Sequence, residues 1–142
     1  AGLAFNTFPL MNGQLIPAGL FSMSPLYLNF FENMATIQFN HRLIALLLFI
    51  SIPLFWYAIQ KSDLQPRTRI IAHLLMLMLG VQISLGIATL LFYVPVALGA
   101  AHQGGAVLLL TAVIMLNHAL RAPLPEPASA GTRATGAPSP AQ

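Results

Sequence analysis

The 142-residue sequence is 57% hydrophobic and 6% charged, with a net charge of +3 and a mean hydropathy of +0.77. A soluble domain carries about a quarter charged residues, so this composition excludes a water-facing globular surface and predicts a protein surrounded by membrane lipid. The bases are scattered at the ends of apolar segments, which argues against a nucleic-acid partner. The absence of cysteine excludes disulfides, thiolate-bound metals and covalent c-type haem attachment.

Residues 1–38 predict an extracytoplasmic loop, because Gly and Pro interrupt them too often for a spanning helix. A short interfacial helix is expected near residues 27–31, since aromatic side chains concentrate at the headgroup level of a membrane. Glu32 and Asn33 are candidates for capping the helix that follows. No signal peptide is visible in the sequence, and we expect the sequence to be a piece of a longer or processed protein.

Three apolar runs predict transmembrane helices over residues 39–60, 69–93 and 100–121. The first would be roughly 33 Å long at 1.5 Å per residue, enough to cross the hydrocarbon core. Three bases lie in or beside the loop between the first two runs and none between the last two, so the positive-inside rule places the former loop on the cytoplasmic or matrix side. Residues 122–142 are rich in Pro, Ala, Ser, Gly and Thr and predict a disordered cytoplasmic tail.

The first and third spans each carry a histidine about one turn from the outer end, His41 and His102. Because both spans run from outside to inside, the two imidazoles are expected at similar depth, where they can serve as axial ligands of one haem iron. Gly104 and Gly105 would let a flat macrocycle lie against the third helix, and Arg42 would meet a haem propionate. Ordinary helix packing is the alternative for the histidines and glycines, and membrane anchoring is the alternative for Arg42.

His73 and His118 form a second pair, near the inner ends of the second and third spans. No run of small residues accompanies them, and histidine is easily accommodated at a membrane interface, so packing is favoured over a cofactor role. The acids Glu32, Asp63 and Glu126 all lie outside the spans. This distribution argues against a proton- or ion-coupled transporter, which usually has an acid at membrane depth.

Six segments resemble, in order and spacing, the C-terminal half of the haem A synthase family of the mitochondrial and α-proteobacterial type. They are AGLAFNTFPLM (1–11), NFFEN (29–33), QFNHR (38–42), LGIATLL (85–91), VP (94–95) and HQ (102–103). The resemblance covers residues 1–121. It implies an all-α integral membrane protein whose three transmembrane helices belong to a four-helix haem-binding half-bundle, with the fourth helix and the substrate-binding N-terminal half upstream.

The family oxidises a ring methyl of haem O to the formyl group of haem A, for use in cytochrome c oxidase. The resemblance implies that this half binds haem b through His41 and His102 and passes electrons, while the missing N-terminal half holds the substrate haem O. Gln38 stands where the family's substrate half has an acid, which fits a cofactor half. The fragment alone is then not expected to make haem A.

The resemblance also implies a bacterial inner membrane or a mitochondrial inner membrane, with the haem site near the outer face. Association of several copies is a further expectation. Two other functions stay open at this point: an electron-transfer cytochrome b subunit that performs no catalysis, and a cofactor-free membrane scaffold or assembly protein. A second, substrate-holding half in the full gene would distinguish the synthase from the former, and a Soret band would exclude the latter.

Overall fold

The computed structural model describes residues 4–121, which form three long α-helices and a short 3₁₀ helix without any β-strand. The α-helices are α1 (Met34–Lys61), α2 (Pro66–Leu91) and α3 (Val96–Arg121), and the 3₁₀ helix is Leu26–Phe30. Each α-helix is long and apolar enough to cross a membrane. The all-α membrane fold predicted from the sequence is therefore confirmed, whereas the predicted tail over residues 122–142 lies outside the described residues.

The first helix begins five residues earlier than the apolar run indicates. Its N-cap is Asn33, whose side-chain oxygen accepts hydrogen bonds from the backbone N–H groups of Ala35 (3.0 Å) and Thr36 (3.2 Å). Polar Thr36 and Gln38 interrupt the hydropathy pattern, yet both are buried beneath the preceding loop. The expected capping by Asn33 is observed, and it moves the start of the helix to Met34.

The loop before α1 is tied to the helix by buried amide side chains. Asn29 accepts a hydrogen bond from Met23 N–H (2.9 Å) and donates to the carbonyl oxygen of Met23 (2.8 Å). Asn33 donates to the carbonyl oxygen of Gly19 (2.8 Å) and to the side-chain oxygen of Asn29 (3.0 Å). Because these polar groups are paired, a segment without regular structure can be held at the membrane surface.

The helix α2 packs against both of its neighbours, while α1 and α3 share no Cα pair within 8 Å anywhere in residues 4–121. We call the end with the N-termini of α1 and α3 the outer end, and the end with the α1–α2 loop the inner end. The buried apolar residues of the helices lie between the middle of each helix and the inner end. These residues are Ile52, Ile59, Ile71, Ala72, Leu75, Leu79, Leu109, Ala112 and Leu116.

Many other large apolar side chains face outward along all three helices. Leu47, Phe55, Leu77 and Leu110 are more than 45% exposed, at 58%, 48%, 65% and 60%. In water such a surface would be unstable, whereas lipid tails cover it without cost. The exposed apolar surface therefore agrees with the membrane environment that the composition predicts.

Candidate functional site

At the outer end, His41 of α1 and His102 of α3 face each other across a gap between their helices. Their ring centroids are 6.1 Å apart and the ring planes are inclined by 80°. The helices α1 and α3 run in the same direction, each flanking α2, so equivalent positions near their outer ends reach the same depth. The structure thus brings together the side chains of the two histidines that the sequence singled out. The backbones of α1 and α3 do not contact each other there.

The separation of the two rings fits a shared haem iron. A metal–imidazole bond is about 2 Å long, so two such bonds in line hold the ring centres roughly 6 Å apart. Nowhere in residues 4–121 do three or more His, Cys, Asp or Glu side chains form a group that could hold a metal ion. Two histidines without further protein ligands match a haem, because the macrocycle supplies the other four ligands.

The two histidines differ in their surroundings. His41 is exposed, whereas His102 is half-buried and its Nδ1 atom is both inaccessible and without a hydrogen-bond partner. His102 packs on the backbone of α2 at Gly86, where an added Cβ would lie 2.9 Å from the imidazole Cε1 and 3.5 Å from Nε2. Gly86 therefore gives His102 its place against α2, a role that the sequence analysis did not assign.

Gln82 lies on α2 one turn before Gly86 and also contacts the His102 segment. Its Nε2 donates a 2.8 Å hydrogen bond to the backbone carbonyl oxygen of His102. Its Oε1 is buried without a partner, as is Nδ1 of His102. A ligating histidine usually donates its second ring N–H to an acceptor, and Nδ1 of His102 has no such acceptor in the structure.

The two glycines after His102 have different environments. A Cβ at Gly105 would collide with Oε1 of Gln82, so this glycine allows α2 and α3 to approach closely. A Cβ at Gly104 would meet nothing within 4 Å. The structure therefore explains Gly105 by contact between the helices, and leaves open space at Gly104.

Arg42, one residue after His41, is bound to the loop that precedes α1. Its guanidinium donates to the carbonyl oxygens of Thr7 (2.8 Å), Pro9 (3.1 Å) and Phe5 (3.4 Å). Gln38, one turn earlier, accepts from Phe5 N–H (3.1 Å) and donates to the Phe5 carbonyl oxygen (2.7 Å). Because Arg carries five N–H donors, these three bonds leave part of the guanidinium for a further acceptor.

The second histidine pair is not brought together in the way that the first pair is. His73 packs edge-on against Trp56, with ring centroids 5.7 Å apart, and its Nδ1 lies 2.7 Å from the carbonyl oxygen of Arg69. His118 is exposed in the last turn of α3. The structure therefore gives each of these histidines separate surroundings at the inner end.

A profile of the COX15-CtaA family, described as a cytochrome oxidase assembly protein, matches residues 1–114. The chain is 55% identical over 121 residues to the "Heme A synthase" of Nitrosospira multiformis, an alignment that covers 85% of the chain and 34% of that protein. Identity is 50% over 125 residues to the "Heme A synthase COX15" of Arabidopsis thaliana, covering 88% of the chain and 27% of the relative.

The corresponding protein of Homo sapiens is 40% identical over 121 residues, covering 85% of the chain and 30% of the relative. The chain therefore spans between 27% and 34% of the length of these three relatives. No solved structure matches the chain at a significant level.

Proposed function

Because the chain belongs to the COX15-CtaA family of cytochrome oxidase assembly proteins, we propose that it takes part in haem A biosynthesis as the cofactor half of a haem A synthase. In this role His41 and His102 would hold a b-type haem through its iron. That haem would supply one-electron transfer for the oxidation of the haem O ring methyl to the formyl group of haem A. The observation that carries the proposal is the 6.1 Å separation of the two imidazole rings.

The residues around the pair determine how the two imidazoles are presented. His102 lies on the bare backbone of Gly86, and Gln82 donates a hydrogen bond to its main-chain carbonyl oxygen. His41 is carried on a helix whose outer end is fixed to the loop by Arg42 and Gln38. These contacts limit the orientation of the His102 imidazole and fix the helix that carries His41, which reduces the reorganisation that binding would require.

Arg42 is the residue that we assign to a propionate of the bound haem. It lies next to His41 in the sequence and already has three carbonyl oxygens as acceptors. A carboxylate would add a charge-assisted bond to the guanidinium N–H groups that remain. Arg42 then links the loop, α1 and the cofactor.

The substrate half belongs, in our proposal, to the part of the full-length protein beyond this chain. Within the described spans there is no acidic side chain, and the Gln38 amide is already paired with the Phe5 backbone. The chain therefore offers no carboxylate near His41 to act on a substrate, and it is not expected to make haem A by itself. The membrane would be a bacterial inner or mitochondrial inner membrane, with the haem site near the outer face.

The experiment that tests this proposal is an oxidised and a dithionite-reduced absorption spectrum of the chain, expressed with a haem supply and purified in detergent. We expect sharp reduced bands of a six-coordinate b haem. His41→Ala and His102→Ala should each abolish them, whereas the matched variants His73→Ala and His118→Ala should retain them. Unchanged haem content in both His41→Ala and His102→Ala would refute the assignment.

The same histidine geometry also fits an electron-transfer cytochrome b subunit that performs no catalysis. The two functions differ in what the full-length protein makes. Conversion of haem O to haem A by the full-length protein, lost in His41→Ala, supports the synthase. A full-length protein that binds b haem and leaves haem O unchanged supports the cytochrome.

A further inference from the structure

The loop that precedes α1 carries an exposed aromatic patch, which we define as Phe21, Tyr27, Phe30 and Phe31. The rings of Phe21 and Phe30 are in contact, with centroids 5.7 Å apart and planes inclined by 59°. Tyr27 and Phe30 are three residues apart in the 3₁₀ helix, where such side chains share one face. Tyr27 is 62% exposed and Phe31 is 77% exposed, so residues 4–121 leave much of the patch uncovered.

The composition of the loop does not suit a surface that faces water. Residues 4–33 contain one charged side chain, Glu32, and no Lys, Arg or His. A contiguous apolar surface generally marks a site of contact with protein or membrane. Because α1 follows the loop directly and is apolar enough to cross a membrane, lipid is the apolar phase that adjoins the loop.

The hydrogen bonds of the loop place it beside α1 rather than above it. The Phe21 N–H donates to Oγ1 of Thr36 (3.2 Å), in the first turn of the helix. The Phe5 carbonyl oxygen accepts from the side chains of Gln38 (2.7 Å) and Arg42 (3.4 Å). These two residues lie roughly 6 and 12 Å along α1 from its first residue, at 1.5 Å per residue. The loop therefore descends along the outer turns of the helix.

The length of α1 determines the level of the loop in a bilayer. The helix has 28 residues, and its length of roughly 42 Å matches the 40–45 Å thickness of a bilayer with both headgroup regions. The first turn of α1 then lies among the headgroups at the outer end. The aromatic patch lies at the same level, because the 3₁₀ helix packs against α1 and Phe21 is bonded to that turn.

We propose that the aromatic patch inserts into the lipid leaflet at the outer end, with its rings at the boundary between headgroups and acyl chains. Aromatic side chains suit this level, since the rings are apolar and the Tyr27 hydroxyl can reach water. The loop has no base that would attract anionic lipid, so the insertion depends on apolar contact and not on headgroup charge. It does not depend on haem binding.

The absence of cysteine allows one nitroxide label to be attached at a chosen position of the 142-residue chain. The label is attached at position 27 of Tyr27→Cys, and the chain is reconstituted in phosphatidylcholine vesicles. Power saturation of the EPR signal compares collisions with oxygen, which dissolves in lipid, and with a neutral nickel chelate, which stays in water. We expect oxygen to relax this label more strongly than the nickel chelate does. The reverse order overturns the proposal.

Labels at three other positions serve as references. Leu47→Cys marks the lipid-facing middle of α1, and Asp63→Cys marks the exposed loop between α1 and α2. Glu32→Cys is the matched control within the loop before α1, because Glu32 is exposed and a carboxylate requires hydration. The label at position 32 should collide with the nickel chelate more often than the label at position 27. Equal accessibility to nickel at both positions would show that the patch faces water and overturn its insertion.

Two comparisons separate lipid from other occupants of the patch. Added phosphatidylglycerol should leave the oxygen collisions at position 27 unchanged, and insertion seen only with this anionic lipid would overturn the apolar mechanism. The same label in the full-length protein, with every other cysteine replaced, should remain accessible to oxygen. Loss of collisions with both reagents, in either protein, would show that another protein segment or a second copy covers the patch, and would overturn lipid as the occupant.

Far-UV circular dichroism of each labelled chain shows whether the helices remain, so that only folded chains are compared. Phe31→Cys, at the most exposed position of the patch, provides a second reporter if Tyr27→Cys loses its helical signal. The same order of oxygen and nickel collisions is expected there, and the reverse order overturns the proposal.

Discussion

Gly86 on α2 lies so close to His102 on α3 that a Cβ at position 86 would be 2.9 Å from the imidazole Cε1. Real Cβ atoms do not tolerate such a contact, and the neighbour that must move is a ring rather than the end of a flexible chain. The orientation of His102 is therefore determined partly by the absence of a side chain on another helix.

Gly86→Ala should lower the haem content of the chain, because the added methyl group displaces the His102 ring from its position opposite His41. Gly80→Ala on the same helix is the control, since a Cβ there meets nothing within 4 Å. Haem bound per chain, measured from the pyridine haemochromogen spectrum, checks the expectation. If both variants retain full haem, the contact between Gly86 and His102 does not position the ligand.

Gly105→Ala should destabilise the chain, because its Cβ would collide with the side-chain oxygen of Gln82. Gly104→Ala should instead be neutral or stabilising by up to about 1 kcal/mol, since alanine favours a helix and the space there is open. Thermal unfolding in detergent, followed by circular dichroism, compares the two.

The combined variant Gly105→Ala with Gln82→Ala identifies the cause. Removing the Gln82 amide opens the space, so the second substitution should restore part of the stability lost through the first. If the stability losses of the two single variants simply add in the combined variant, the collision does not cause the loss in Gly105→Ala.

Arg42→Ala should release the loop before α1, because three backbone carbonyl oxygens lose their shared donor. Faster hydrogen exchange and faster proteolysis between residues 5 and 10 are expected. Arg42→Lys should give partial protection, since an ammonium retains the charge but lacks the planar fork of a guanidinium. Arg67→Ala, at an exposed position in the first turn of α2, should leave the loop unchanged.

Asn33→Ala should lower the free energy of unfolding by at least about 1 kcal/mol through the lost N-cap. The carbonyl oxygen of Gly19 would also lose its donor. Asn33→Asp keeps the oxygen that caps the helix but turns a second carboxylate oxygen towards the oxygens of Gly19 and Asn29, so it should also lower the free energy of unfolding. Unfolding in mixed detergent measures these differences, with Asn117→Ala on the exposed surface of α3 as the control. If Asn117→Ala lowers the free energy of unfolding as much as Asn33→Ala does, the N-cap does not explain the loss.

The spans and the histidine pair were predictable because hydrophobic length and residue depth follow from the sequence alone. The ends of the helices were harder to predict. Thr36 and Gln38 are polar and lie inside α1, since the folded loop buries them. Tyr93 and Val94 both have positive φ, at 60° and 58°, in the turn before α3. Bulky residues rarely adopt this conformation, so their types carry no signal for that geometry.

The parts of the site that depend on helix register could not be read from the sequence. Gly86 and Gln82 meet His102 and Gly105 across the contact between α2 and α3. Neither Gly86 nor Gln82 was predicted from the sequence as part of the site. The pairing of residues across two helices depends on how each helix is rotated about its own axis. That rotation is determined by the packing of the helices.

The buried apolar residues of α1, Ile52 and Ile59, lie in its inner half, whereas its outer end is fixed to the preceding loop by Arg42 and Gln38. The helices α1 and α3 share no Cα pair within 8 Å in the described residues. The separation of His41 from His102 is therefore determined by the loop and by the packing of each helix on α2, and not by direct packing of α1 on α3.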